Sequence, residues 1–178
     1  MFDSLYPTMQ WANYRSTWPH AQHSRFVQAG GIHWHVQQVG RHGPRLLLLH
    51  GTGASSHTWR DSLLPLAEHA QVLALDLPGH GFSRLGHGDA MSLPGMARGI
   101  GALLQTLQWP VDVFIGHSAG AAIAAPSALC ASAPCDRPAL SFASGGILRS
   151  PGRQSPPRDQ LLQLGRMAAP GGGLKKVR

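Results

Sequence analysis

The chain has 178 residues, of which 43% are hydrophobic and 13% are charged, and this composition excludes a wholly disordered protein. No uncharged apolar run reaches the roughly 18 residues that a membrane-spanning helix needs, and the N-terminus has no apolar core typical of a secretory signal. Two cysteines, Cys130 and Cys135, are too few for a disulfide framework, so a reducing cytoplasm is the expected location.

The net charge of +7 is concentrated at the C-terminal end of the chain. Residues 1–125 hold seven Arg against six acidic residues, whereas residues 126–178 hold eight Lys or Arg against two Asp. That tail also holds seven Pro and seven Gly, with one Ile and one Val. A basic tail can bind nucleic acid or anionic lipid, but so few β-branched residues favour an aberrant or poorly ordered segment, and we expect no nucleic-acid partner. We divide the chain into an N-terminal extension (1–24), a core (25–125) and this tail (126–178).

Strand and helix patterns alternate along the core. Residues 25–28 and 32–39 predict two strands joined by a glycine turn. Three short apolar runs are typical of strands buried on both faces: residues 45–50, 71–76 and 111–115. Helical spacing covers residues 58–70 and 91–107, the second with Ser92 as a cap and Pro94 in its first turn, and a small-residue helix begins at Gly120. This alternation predicts an α/β fold, a mostly parallel sheet flanked by helices, and residues 140–148 could add a further strand.

The segment Gly116-His-Ser-Ala-Gly120 fits the G-x-S-x-G pattern between a predicted strand and a predicted helix. The serine of such an elbow occupies a sharp, strained turn, where side chains in place of the flanking glycines would collide with the backbone. The turn would expose Ser118 Oγ and place the Ala119 N–H at a helix start, where it can stabilise an oxyanion. Ser118 is therefore the candidate nucleophile. The adjacent His117 is not expected to reach its hydroxyl.

Two further glycine-containing loops follow predicted strands. His50-Gly-Thr-Gly53 is the candidate second oxyanion loop, with the Thr52 N–H as donor, and the alternative is a simple turn. In the loop that begins Asp76-Leu-Pro-Gly, the carboxylate is expected to accept hydrogen bonds from loop backbone while the glycines permit a tight turn. A catalytic role there is disfavoured. We assign structural roles in the three loops to His50, Gly51, Asp76, Gly79, His80, Gly81, Gly116, His117 and Gly120.

The sequence predicts no metal site and no cofactor. His33 and His35 share one strand face, and such pairs can bind metal. No third ligand lies at a suitable spacing, so both are expected to be partly buried strand residues. Cys130 and Cys135 lack the C-x-x-C spacing of a zinc site.

All eleven histidines lie between His20 and His117, ahead of the candidate nucleophile. In the chain order typical of this elbow, the serine is followed by an acid and then by a histidine. Asp136 and Asp159 follow Ser118, but no histidine does. A serine without a general base is a poor nucleophile at neutral pH. The sequence therefore indicates a hydrolase scaffold and leaves its enzymatic activity undecided.

The three loops together resemble those of the α/β-hydrolase superfamily. Other stretches resemble the magnesium chelatase accessory proteins of bacteriochlorophyll biosynthesis over residues 17–125, namely Trp18-Pro, HSRFV, WHVQ, HTWR and SLPGMA. The resemblance implies an α/β-hydrolase fold, a cytoplasmic protein and a role near magnesium insertion into protoporphyrin. Magnesium chelatase subunits or a porphyrin intermediate are the implied partners.

The resemblance ends near Pro126, where family members continue into further strands with the acid and histidine loops. We therefore expect a truncation or frameshift after about residue 125, with the C-terminal strands of the fold missing. Three functions follow as hypotheses. The chain is an ester- or acyl-hydrolase-type protein with an accessory role, a non-catalytic module that binds a tetrapyrrole or a chelatase subunit, or an inactive fragment.

Overall fold

The computed structural model describes residues 9–84 and 88–124, and the backbone of residues 140–143 and 146–149. One sheet contains five strands, in the spatial order β1-β2-β4-β3-β5. Strands β4, β3 and β5 are parallel, while β1 and β2 run antiparallel to their neighbours. The strands are β1 (Ser24–Ala29), β2 (Ile32–Val39), β3 (Arg45–Leu49), β4 (Gln71–Leu75) and β5 (Val113–Gly116). The predicted α/β fold is confirmed.

Helices lie before the first of these strands, between them and after β5. They are α1 (Trp11–Tyr14), α2 (Leu63–Ala67), α3 (Leu93–Thr106) and α4 (Ala119–Ile123), with 3₁₀ turns at Ala21–His23 and Ser56–Trp59. The predicted start of α3 is confirmed, because Ser92 Oγ accepts a hydrogen bond of 3.0 Å from the Gly95 N–H. Within the described residues, no helix is long and apolar enough to span a membrane.

The single helix predicted over residues 58–70 is wrong. The chain forms the 3₁₀ turn at Ser56–Trp59, passes through Asp61 and Ser62, and then forms the short α2. Pro65 gives the physical reason. It has no N–H to donate to the carbonyl of Asp61, and its ring would clash there, so a helix can begin near Pro65 but cannot run through it.

The leucine run of β3 divides between the two faces of the sheet because side chains alternate along a strand. Leu47 and Leu49 pack on the face covered by α3 and α4, whereas Leu46 and Leu48 pack on the face covered by α2. The chain therefore has a helical layer on each side of the sheet. The first cluster also contains Trp34, Leu73, Leu75, Ile100, Leu103 and Ile123, and the second contains Trp59, Leu63, Leu66, Val72, Val113 and Ile115.

Two strands occur in the tail, β6 (Leu140–Ala143) and β7 (Gly146–Arg149). They pair antiparallel as a separate two-stranded sheet, with Leu140 opposite Arg149. Residues 140–148 thus form most of a two-stranded unit, where the pattern had suggested one further strand. The remaining positions named above in the tail, Cys130, Cys135, Asp136 and Asp159, lie outside the described residues.

Candidate active site

Ser118 occupies the turn between β5 and α4. Its backbone torsion angles are φ +53° and ψ −117°, a conformation that side chains other than glycine rarely adopt, and the residue is exposed. The Ala121 N–H donates to the Ser118 carbonyl oxygen at 3.0 Å, which closes the first turn of α4. Ala119 is the first residue of that helix, so its N–H has no partner within the helix. The turn therefore presents a serine hydroxyl beside an amide that has no hydrogen-bond partner among the described residues.

The two glycines of the elbow allow backbone to approach backbone. A Cβ at Gly116 would lie 2.5 Å from Ala121 Cα, and a Cβ at Gly120 would lie 2.6 Å from the His50 carbonyl oxygen and overlap that of Leu49. Both distances are shorter than real Cβ atoms show. The start of α4 is thus packed closely against the ends of both β5 and β3, which requires glycine at both positions.

The His50–Gly53 loop lies directly against the elbow. Leu49, at the end of β3, is in register with Gly116 at the end of β5, and the His117 N–H donates to the Leu49 carbonyl at 2.9 Å. A Cβ on Gly51 would lie 3.1 Å from Ser118 Cβ, so the backbone of Gly51 borders the serine side chain. Thr52 follows and is exposed. The loops that carry the two predicted oxyanion donors are therefore adjacent.

His50 is fully buried and connects two of the loops. Its Nε2 accepts a hydrogen bond from the Leu77 N–H at 2.9 Å, so its proton resides on Nδ1, which donates to the Gly51 carbonyl oxygen at 2.7 Å. Burial lowers the pKa of the His50 imidazole, with smaller contributions from His80 and His117, against the opposing effects of the Gly51 hydrogen bond and Asp76. A neutral ring is the form that satisfies both contacts.

Asp76 is also fully buried and accepts three hydrogen bonds. Its donors are the Ser56 N–H at 2.6 Å, the Phe82 N–H at 2.9 Å and His35 Nδ1 at 2.8 Å. Burial opposes ionisation, but the hydrogen bond and charge of His35, together with the two amides, hold the pKa of Asp76 below its usual value. A Cβ at Gly81 would overlap this carboxylate, so the loop closes tightly around it. These contacts are structural.

His35 is the residue of this network that sequence reasoning missed. The expectation of a partly buried histidine holds for His33 but is wrong for His35, which is fully buried against Asp76. The reason is strand pairing. Val36 of β2 lies opposite Leu75 of β4, which places His35 beside Asp76, whose N–H donates to the His35 carbonyl at 3.0 Å. The apolar pattern of β2 indicated that one of its faces is buried, but the sequence did not show that β2 pairs with β4.

Aromatic residues of the N-terminal extension cover this pair. The Trp11 ring lies 5.2 Å from the His35 ring and 4.9 Å from Phe82, and the Trp18 ring lies 4.7 Å from Phe82. The Gln37 side-chain amide holds the same segment in place by donating a hydrogen bond of 2.7 Å to the Pro19 carbonyl oxygen. The extension therefore shields the buried hydrogen bond between His35 and Asp76 from water.

The other two histidines near the elbow differ in their contacts. The His80 ring is 5.3 Å from that of His50, and its Nδ1 lies 3.0 Å from the Pro78 carbonyl. His117 Nδ1 is buried and has no hydrogen-bond partner among the described residues. Gly79 is exposed, at φ +73°. Over residues 9–84 and 88–124, no three His, Cys, Asp or Glu side chains are grouped so as to hold a metal ion.

The fold and the Ser118 elbow together define a class of proteins, and comparison with known protein families places the chain in the same class. Residues 44–140, more than half of the chain, match the alpha/beta hydrolase fold family. The chain belongs to this family.

Individual relatives are similar to part of the chain. The magnesium-chelatase 30 kDa subunit of Rhodobacter capsulatus is 41% identical over 115 residues, which is 64% of this chain and 40% of that protein. Protein phosphatase methylesterase 1 of Bos taurus is 34% identical over 106 residues, 57% of this chain and 28% of that protein. The chain thus spans well under half of the length of these relatives.

Solved structures show the same fold. An epoxide hydrolase from Vigna radiata superimposes with a TM-score of 0.59 at 26% identity, over 72% of this chain and 40% of that one. Potato epoxide hydrolase I superimposes with a TM-score of 0.53 at 27% identity, over 60% of this chain and 34% of that one. The similarity therefore covers an N-terminal portion of the hydrolase fold.

Proposed function

We propose that this chain supplies Ser118 as the nucleophile of an ester- or acyl-hydrolase-type site, in a cytoplasmic protein that accompanies magnesium chelatase in bacteriochlorophyll biosynthesis. The observation that carries the chemical part is the exposed, strained Ser118 at φ +53° beside the first amide of α4, Ala119 N–H, which no described residue pairs. The biological part rests on the resemblance and on the relative that is named as a magnesium-chelatase subunit. Chelatase subunits or a porphyrin intermediate are the proposed partners.

The site would act on a carbonyl carbon. Ser118 Oγ forms a bond to that carbon, the carbonyl electrons move onto its oxygen, and the Ala119 and Thr52 N–H groups stabilise the resulting oxyanion. The hydroxyl proton passes to solvent water, the bond from the carbonyl carbon to the alcohol oxygen breaks, and the alcohol leaves with a proton from solvent. A water molecule then hydrolyses the acyl-serine ester, which releases the acid and restores the Ser118 hydroxyl. No described side chain is hydrogen-bonded to the Ser118 hydroxyl. The reactivity of the serine is therefore the property to measure.

A fluorophosphonate probe tests this proposal, because it labels an activated serine covalently. The full chain should be labelled, and Ser118→Ala should not be. Ser16→Ala is the matched control, since Ser16 is exposed in the N-terminal extension and far along the chain from the elbow. Labelling that persists in Ser118→Ala, or is absent in the unchanged chain, would contradict the role of Ser118.

A second candidate function is a non-catalytic module that binds a tetrapyrrole or a chelatase subunit. The observation that favours it is the position of all eleven histidines ahead of Ser118, with none of those in the described part of the chain hydrogen-bonded to its hydroxyl. Titration with protoporphyrin, followed by quenching of tryptophan fluorescence, distinguishes this candidate. Saturable quenching without fluorophosphonate labelling supports the binding module. Neither binding nor labelling is the result expected of an inactive fragment.

A further inference from the structure

The carbonyl oxygen of Gly51 is held from two sides. His50 Nδ1 donates to it at 2.7 Å and the Ala54 N–H donates at 3.2 Å. The chain has no cis peptide bonds among its described residues, so the Gly51–Thr52 peptide is trans and planar. In such a peptide the C=O and the N–H point in opposite directions. The two donors that hold the Gly51 carbonyl therefore also fix the direction of the Thr52 N–H.

The His50 ring is itself fixed. It is fully buried, and its second nitrogen accepts the Leu77 N–H at 2.9 Å. Its backbone lies close against the elbow, because a Cβ on Gly120 would lie 2.6 Å from the His50 carbonyl oxygen. The ring cannot turn without losing one of its two hydrogen bonds.

We propose that His50 is a positioning residue that aims the Thr52 N–H at the oxyanion by holding the Gly51 carbonyl, and that it does so only as a neutral imidazole. The inference rests on the proposed function of Ser118. It assigns to His50 an effect on reaction rate, which a purely structural contact would not have.

The charge state matters because Leu77 presents a donor to Nε2. A proton on Nε2 would set two N–H groups against each other, and the Leu77 contact would be lost. The titratable groups that face His50 are Asp76 and His80 in the loop after β4 and His117 after β5. Burial lowers the pKa of His50, which keeps the ring neutral at neutral pH.

Two substitutions separate the two hydrogen bonds of His50. Asn places an amide N–H near the position of Nδ1, so His50→Asn keeps a donor to Gly51 O and loses the acceptor for Leu77. Gln reaches the position of Nε2, so His50→Gln keeps the acceptor and loses the donor. Each variant lacks one buried hydrogen bond, and a merely structural role would affect both alike.

The first readout is the rate of fluorophosphonate labelling. Loss of one oxyanion donor slows acyl-transfer enzymes by about 100-fold or more, so His50→Gln should label about 100-fold more slowly. His50→Asn should label within about threefold of the unchanged chain, since a retained donor preserves that contribution. Equal rates in the two variants would overturn the proposal.

The second readout needs no substitution and no labelling. In the unchanged chain, the amide resonance of Thr52 should shift with pH at the same midpoint as the His50 ring, and should return when the pH is raised. A Thr52 amide that ignores the titration of His50 would overturn the proposal. A chain that is never labelled but whose Thr52 amide follows His50 would refute the proposed function and leave the positioning role standing.

Discussion

Ser118 and Asp76 occupy equivalent places in the fold and have opposite environments. Each follows the carboxyl end of a parallel strand, Ser118 after β5 and Asp76 after β4. Ser118 is exposed and strained at φ +53°, whereas Asp76 is 0% exposed and accepts three hydrogen bonds. The carboxyl edge of the sheet is where such folds bind ligands, but the comparison shows that this position alone decides neither the solvent access of a residue nor the hydrogen bonds that it makes.

Backbone packing produces the difference. At the elbow, Gly116 lets α4 approach β5 and Gly120 lets it approach the end of β3, and Ser118 is exposed at the turn between them. At the Asp76 loop, the chain folds back instead, and the Phe82 N–H reaches the carboxylate while Trp11 and Trp18 cover it. One loop therefore exposes its polar side chain, and the other encloses it.

The largest expected effect comes from removing the enclosed carboxylate. Asp76→Ala should lower the free energy of unfolding by about 3–5 kcal/mol, because it leaves His35 and two amides buried without an acceptor. Urea denaturation followed by tryptophan fluorescence measures this. Asp61→Ala is the control, since Asp61 is 82% exposed and its ion pair with Arg60 should contribute less than about 1 kcal/mol. Similar losses in both variants would break the comparison.

A smaller effect is expected at the elbow. Gly120→Ala should cost about 1–3 kcal/mol, because its methyl group would meet the carbonyl oxygens of Leu49 and His50. The displaced turn should also abolish fluorophosphonate labelling of Ser118. Ala122→Ser, at an exposed position of α4, should change stability by less than about 0.5 kcal/mol. Unchanged labelling in Gly120→Ala would show that the close approach is unnecessary.

Acid should destabilise the protein through two fully buried titratable groups, His50 and Asp76. His50 has a pKa below the value of about 6.5 expected in the unfolded chain, so the unfolded state binds more protons as pH falls. The contribution of His50 to stability is complete above pH 6.5 and is lost as the pH falls towards the pKa that His50 has in the folded chain. The contribution of Asp76 has the same sign and is lost as the pH falls below 3.8. Each group can contribute a slope of at most about 1.4 kcal/mol per pH unit.

Urea denaturation between pH 8 and pH 5 tests this, with His50→Asn as the comparison because asparagine does not titrate. The slope should be shallower in the variant. Half-buried His57, whose pKa burial and Arg60 lower, contributes with the same sign in both proteins. Stability that rises as the pH falls from 8 to 5 would contradict the assignment.

The smallest effect is a gain in stability. Ser118→Gly should stabilise the fold by about 1 kcal/mol, because glycine relieves the positive φ at a cost in unfolded-chain entropy that offsets only part of the gain. Ser118→Ala should leave stability nearly unchanged, since the strain remains and the serine side chain caps no helix. Thermal melts of both variants measure this, and a loss of stability in Ser118→Gly would show that the turn is unstrained.

Local patterns in the sequence predict much of the sheet and α3, the longest helix of the described residues. The five strands appear at the predicted places because each combines an apolar run with turn residues, and α3 begins at its predicted cap Ser92. The prediction of one helix over residues 58–70 is wrong because it followed the periodic apolar pattern and neglected Pro65, which interrupts a helix. A proline of this kind is visible in the sequence, but whether it ends a helix depends on how the folded chain packs around it.

The sequence by itself determined the elbow, the order of strands along the chain and the absence of any histidine after Ser118, because these depend on neighbouring residues alone. Only the tertiary structure decided the partners of Asp76 and His50. His35 meets Asp76 through the antiparallel pairing of β2 with β4, and His50 meets Leu77 across two loops. The first contact joins residues 41 positions apart and the second joins residues 27 positions apart. Such contacts arise from strand pairing and burial, which local spacing in the sequence does not show.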